Sequence, residues 1–137
     1  MKPTIKRKKK VTPWRSGLEE EFAAYLTALQ LPFTFESDKL EYTIPATKHK
    51  YTPDFKLKPK FYLETKGIFD TADRKKHLLI KEQHPDVDIR IVFHNPNNKL
   101  RRGSPTTYAM WCDKHGIKWA DFRKGVPQEW IKEIKDE

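Results

Sequence analysis

The spacing of apolar positions changes several times along this chain, and each change marks an element. Leu18, Phe22, Tyr25, Leu26 and Leu29 recur every three or four residues, which predicts a helix with one apolar stripe. Ser16 and Glu19 have the S-x-x-E spacing of a capping box at its start, and Pro32 lies just past its end. At about 100° per residue, Glu19 and Glu21 fall on opposite margins of the stripe and Glu20 points to solvent. Residues 33–36 and 40–44 predict short strands. From Tyr51 the period becomes two: Tyr51, Pro53, Phe55 and Leu57 on one face, Thr52, Asp54 and Lys56 on the other. After a turn at Lys58-Pro59-Lys60, a second run sets Phe61, Leu63 and Thr65 against Tyr62, Glu64 and Lys66. A helix over 71–83 stops at His84-Pro85, and 87–93 alternates as a buried strand. Ser104-Pro105 predicts an N-cap and first turn for a helix that Gly116 closes, with Tyr108, Trp111, Cys112 and His115 as its stripe. A last helix from Pro127 packs Trp130 and Ile134. The order is that of a mixed α/β core, without internal repeats.

Composition narrows the class. The 137 residues make one domain with a modest core, at 36% apolar and 34% charged. No run approaches the roughly 18 apolar residues of a membrane span. The basic N-terminus has no apolar segment behind it, so it does not read as a secretory signal. The single cysteine, Cys112, excludes an internal disulfide framework and fits a reducing compartment; it reads as a small buried helix residue.

Charge points to a partner. The net charge is +9, and Lys2, Lys6, Arg7, Lys8, Lys9 and Lys10 crowd the first ten positions. Residues 1–14, with Pro3 and Pro13, read as a flexible basic arm, and 15–137 as the folded domain. Basic groups recur at Arg15, Lys48-His49-Lys50, Arg74-Lys75-Lys76, Lys99, Arg101 and Arg102. A basic arm on a basic body predicts a polyanion, nucleic acid above all, held through its phosphates.

The candidate chemistry lies in YTPDFKLKPKFYLETKG. A hairpin turning about Pro59 sets Asp54 directly opposite Glu64, with Cβ atoms about 4.5–5.5 Å apart, where like charges repel. A divalent cation between the carboxylates reverses that cost, since hard ions take oxygen ligands. Lys66 follows on the same face as Glu64, about 7 Å along. Other chemistries lack their marks. There is no GxxxxGK[ST], GxGxxG or GxSxG, and the five histidines show no i,i+4 pair for zinc. Carboxylates that hold a metal, within a basic protein that holds a strand, suit phosphodiester hydrolysis. Lys66 could orient water or offset transition-state charge.

These residues carry a resemblance. Pro53-Asp54 with Glu64-Thr65-Lys66 resembles the PD-(D/E)xK nuclease pattern. Together with RSGLE at 15–19, YTPDF, ETKG, DRKKHLLIKEQHP, DIRIVF, GSPTTY, KHGIKWAD and EWIKE, the chain from about 15 to 132 is similar to the phage endonuclease I family. The resemblance implies a PD-(D/E)xK nuclease-like mixed β-sheet flanked by helices, in a domain-swapped homodimer with a bridge around 45–51. It implies cleavage of four-way (Holliday) and other branched DNA with Mg²⁺, for which Mn²⁺ substitutes. It selects Glu19 over Glu21 and makes Glu19, Asp54, Glu64 and Lys66 the catalytic set. Asp54, Glu64 and the Thr65 carbonyl would hold one ion, Asp54 and Glu19 a second. Glu19 of one chain would complete the partner's site. No membrane and no small-molecule cofactor is expected, and the place of action would be the cytoplasm of a bacterial host. The ends depart from the family: the arm is denser in lysine, and the C-terminus is the acidic IKDE. Two other readings are a nuclease nicking mismatched or damaged duplex, and a non-catalytic DNA-binding protein; the opposed Asp54 and Glu64 argue against the latter.

Overall fold

Ser16 opens the first helix, α1 (Gly17–Ala28), by accepting the Glu19 N–H at 3.1 Å. The computed structural model describes residues 13–44 and 46–136, so the arm's Lys6, Arg7, Lys8, Lys9 and Lys10 lie outside the described residues. After α1 come β1 (Thr34–Phe35), β2 (Leu40–Ile44), β3 (Thr47–Tyr51), β4 (Phe55–Lys58) and β5 (Phe61–Lys66). Then follow α2 (Thr71–Gln83), β6 (Asp88–Phe93), α3 (Tyr108–Lys114), β7 (Trp119–Asp121), a 3₁₀ turn and α4 (Gln128–Lys135). Five strands form one sheet in the order β1-β4-β5-β6-β7, antiparallel through β5 and parallel from β5 to β7. The architecture is mixed α/β, as the element order predicts.

Helices cover both faces. Phe61, Leu63, Val92 and Ala120 meet Phe22, Leu26, Trp130 and Ile131 from α1 and α4. Ile91 and Phe93 meet Phe69, Tyr108, Trp111 and Cys112. A sheet clad on both sides buries alternate residues equally, so Phe61 to Thr65 are all buried instead of alternating. Arg90, 2% exposed, lies under the Phe61 and Trp130 rings, and its guanidinium binds Asp88 and Glu133, fastening α4 to β6. Tyr25 takes the Val126 N–H at 3.0 Å, tying α1 to the 3₁₀ exit. The neighbouring Gly125 has φ 81°, and a Cβ there would stand 2.7 Å from the Tyr25 hydroxyl.

Three expectations need correction. The run 51–57 is not one strand: Tyr51 ends β3, residues 52–54 are irregular, and β4 starts at Phe55. Pro53 offers no N–H for a ladder. Residues 47–51, for which the sequence predicts no strand, form β3, which pairs antiparallel with β2 from Leu40↔Tyr51 to Ile44↔Thr47. This hairpin docks on α2, where Gln83 accepts the Thr43 N–H at 2.6 Å and donates to its carbonyl at 2.8 Å. The third helix starts at Tyr108, capped by Thr107, and not at Ser104. The bridge Lys99↔Thr107 and the bond from Leu100 N–H to Thr106 O hold the residues before it extended. Strand β7, only three residues long, has too little pattern for the sequence to declare it.

Candidate active site

Register decides this site. Pairing runs Phe55↔Leu63 and Lys56↔Tyr62, then shifts at a bulge to Lys58↔Phe61, leaving Pro59-Lys60 as the turn. Extended one step outward, it sets Asp54 beside Glu64, as the hairpin reading expects. Backbone and hydroxyl donors keep the two carboxylates from facing each other bare. Asp54 N–H donates to Glu64 Oε1 at 3.0 Å, and Asp54 Oδ2 accepts from the Thr65 N–H at 3.0 Å and its hydroxyl at 2.9 Å.

Glu64 is 4% exposed. Burial, then the Asp54 charge, pushes its pKa up to about 8; Lys66, the Tyr51 hydroxyl and the Asp54 N–H pull the other way. Lys66 Nζ lies 3.9 Å from Glu64 Oε2 and 3.3 Å from Asp73 Oδ1. Burial works to raise the Asp73 pKa, but Lys66 and then Lys76 outweigh it and lower it.

From the other side, α1 brings Glu19. Its carboxylate accepts the Arg15 N–H at 2.8 Å, so the capping interaction reaches back one residue further than a capping box does. Burial, opposed by that bond and aided by Asp54 and Glu36, raises its pKa. Oxygens of Glu19, Glu36 and Asp54 all lie within 4.8 Å of one another. Three convergent carboxylates are a donor set that a hard divalent cation can neutralise.

The whole sequence points the same way. It matches the family model described as Phage endonuclease I over residues 1–137. The chain belongs to the phage endonuclease I family. Endonuclease I of Escherichia phage T7 is 53% identical over 129 residues, covering 94% of this chain and 85% of the relative. Endodeoxyribonuclease 1 of Enterobacteria phage T3 is 49% identical over 124 residues, covering 90% and 80%.

In this phage endonuclease I chain, then, one end of the sheet gathers Glu19, Asp54, Glu64, Thr65 and Lys66 from α1, the irregular residues just before β4, and β5. The basic candidates are spread more widely. Lys48, His49 and Lys50 lie exposed on the hairpin; Lys75, Lys99, Arg101 and Arg102 are also exposed. Arg15 binds Glu36 at 2.8 Å. Arg74 is turned to its own turn, donating to Phe69 O at 2.6 Å and Thr71 Oγ1 at 3.1 Å. Lys76 lies 3.7 Å from Asp73 and 5.2 Å from the centre of the Tyr51 ring. No described helix is long and apolar enough to cross a membrane.

Three residues of the site escape the sequence reading. Glu36 follows β1 with φ 49° and donates its N–H to Asp54 O at 3.0 Å. Only the β1–β4 pairing, Phe35↔Phe55, betrays it. His77 is buried on α2, 4.0 Å from Glu64 Oε2, its pKa pressed down to about 3 by burial, then by Lys66 and Lys76. Tyr51, at the end of β3, is buried beside it. A lone histidine and a lone tyrosine carry no spacing signal.

Proposed function

We propose that this protein is a homodimeric, metal-dependent endodeoxyribonuclease that resolves four-way and other branched DNA junctions in the host cytoplasm. The observation that carries the reading is the convergence of Glu19, Asp54 and Glu64 with Lys66 at one end of the sheet, in a member of a family of phage endonucleases.

The donor set fits Mg²⁺ or Mn²⁺, being all oxygen: Asp54, Glu64 and the Thr65 carbonyl for one ion, Asp54 and Glu19 for a second, with Glu36 beside the latter. When bound, such ions polarise the scissile phosphate and ease deprotonation of water. The chain's own groups supply the rest. Asp54 is fixed by two bonds from Thr65, so its free edge keeps a set direction. Lys66, steadied by Asp73, places a cation where negative charge grows as the phosphate is attacked. Lys75, Lys99, Arg101, Arg102 and the hairpin's Lys48 and Lys50, with the arm, hold phosphates and give steep salt dependence. Two such sites in one dimer suit a junction, which must be cut on two symmetric strands.

In the single chain the β2–β3 hairpin is closed and Glu19 reaches Asp54 of its own chain. Opening the turn at Ala46 would let β2 pair with a partner's β3 through the same ladder and would share the site between chains. Ala46 favours this: its φ of 88° suits glycine and strains alanine in the closed turn.

The test is cleavage of a four-way junction and a matched linear duplex, with Mg²⁺ or chelator, by the parent, Glu64→Ala and Lys66→Ala. Junction-selective, Mg²⁺-dependent cutting by the parent alone is expected. Binding without cleavage under every condition refutes the nuclease; equal cutting of both substrates removes the junction selectivity. Glu19→Ala and Asp54→Ala chains, each inactive, should recover activity on subunit exchange, and no recovery after demonstrated exchange refutes shared sites.

A further inference from the structure

Glu64 has two neighbours that packing alone does not account for. Tyr51 and His77 are 4% and 3% exposed. Their rings meet at a steep angle with centroids 5.4 Å apart, and Phe69 closes the other side of His77 at 5.8 Å. Neither Tyr51 Oη nor His77 Nε2 makes a hydrogen bond of normal geometry. A buried polar atom left so is destabilising, and phenylalanine at either position would avoid that cost. Both atoms adjoin one carboxylate. His77 Nε2 lies 4.0 Å from Glu64 Oε2, and the Tyr51 hydroxyl is near enough to lower the Glu64 pKa. The other oxygen, Oε1, is already held by the Asp54 N–H at 3.0 Å.

We propose that Tyr51 and His77 are positioning residues that hold the Glu64 carboxylate in the orientation in which it binds a divalent cation. Groups that ligate metals are themselves oriented by an outer ring of hydrogen bonds. Here the main chain fixes one oxygen of Glu64, His77 Nε2 lies beside the other, and the Tyr51 hydroxyl stands close to the same carboxylate. Neither ring touches substrate; both act through Glu64. Because Tyr51 ends β3 and His77 rides on α2, docking of the hairpin against α2 sets the geometry. The inference rests on the metal-dependent reading above.

Calorimetric titration of Mn²⁺ into the full-length parent, Glu64→Ala, Tyr51→Phe, His77→Phe and His77→Gln tests it, beside junction binding in chelator and junction cleavage. Tyr51→Phe and His77→Phe should each weaken Mn²⁺ binding by about 10- to 100-fold and lower kcat, with chelated junction affinity unchanged. His77→Gln, which keeps a donor, should recover most of the loss. Tyr51→Phe removes one unpaired hydroxyl, so its melting temperature should hold or rise. Parental Mn²⁺ affinity in both phenylalanine variants overturns the inference, as does loss of chelated junction binding in step with Mn²⁺ affinity. A parent that binds no Mn²⁺, or a Glu64→Ala chain that binds it as tightly as the parent, refutes the metal reading itself.

Discussion

Replacing Glu64 with glutamine should stabilise the metal-free protein while abolishing its cleavage of DNA. The side chain is buried, and its pKa rises from an ordinary 4.5 to about 8, through burial first and the Asp54 charge second. The fold therefore binds this proton more tightly than the unfolded chain does. Stability is full below pH 4.5, declines as pH rises, and has lost the whole contribution above pH 8. At about 1.36 kcal/mol per tenfold change in proton affinity, the loss is about 5 kcal/mol above pH 8 and about 3 kcal/mol at pH 7. Glutamine carries no charge, and its carbonyl still accepts the Asp54 N–H. In chelator at pH 7 the variant should melt above the parent by on the order of 10 °C, and the gap should close by pH 4.5. Saturating Mg²⁺ should narrow or reverse the order, because binding at 100 Kd adds about 2.7 kcal/mol to the parent. Thermal melts across pH 4–9, with and without Mg²⁺, decide it. A glutamine variant no more stable than the parent at pH 8 in chelator refutes the reasoning.

Lys66→Met should cut junction cleavage by about 10²- to 10³-fold with junction binding retained, as single-turnover assays and gel shifts would show. Arg90→Ala removes the guanidinium between Phe61 and Trp130 together with its bonds to Asp88 and Glu133; urea unfolding should show a loss of about 2–3 kcal/mol. Gly125→Ala combines a strained φ with a Cβ against the Tyr25 hydroxyl and should cost about 1–3 kcal/mol in the same assay. Ala46→Gly relaxes the closed β2–β3 turn and should raise the monomer fraction in sedimentation; an unchanged or larger dimer fraction contradicts the strained hinge.

The sequence carried the site further than it carried the strands. Asp54 beside Glu64 was legible because a hairpin centred on Pro59 pairs Phe55 with Leu63 in the core, and the next step outward joins these two. A one-residue bulge between Lys56 and Lys58 absorbs the difference between a turn centred on Pro59 and the two-residue turn observed. Strand β3 was hidden because Lys48, His49 and Lys50 are polar and exposed; its pairing partner β2, not an apolar face, defines it. Ser104-Pro105 misled because Ser104 caps a turn, its hydroxyl oxygen accepting the Thr106 N–H at 3.1 Å. The same local chemistry serves turns and helix starts alike. Glu36 joins the cluster only through strand order, which no local pattern encodes.

The core says what kind of dimer an opened hinge would make. Exchange at Ala46 would carry α1, β1 and β2 across to a partner. The ladder from Leu40↔Tyr51 to Ile44↔Thr47 would be the same in both forms, so pairing energy does not choose between them. Much more than the ladder would cross. Phe22, Ala23, Leu26 and Leu31 pack on Phe55, Leu63, Val92 and Trp130, and in the exchanged form that contact becomes the subunit interface. Such an interface is a domain core divided between two chains, the character of obligate dimers. An opened chain without its partner would expose that core to water and would not persist. Exchange must therefore pass through closed or unfolded chains, and it should be slow under native conditions. Mixing Glu19→Ala with Asp54→Ala would report on shared sites only after co-expression or joint refolding, with mixed dimers verified independently of activity.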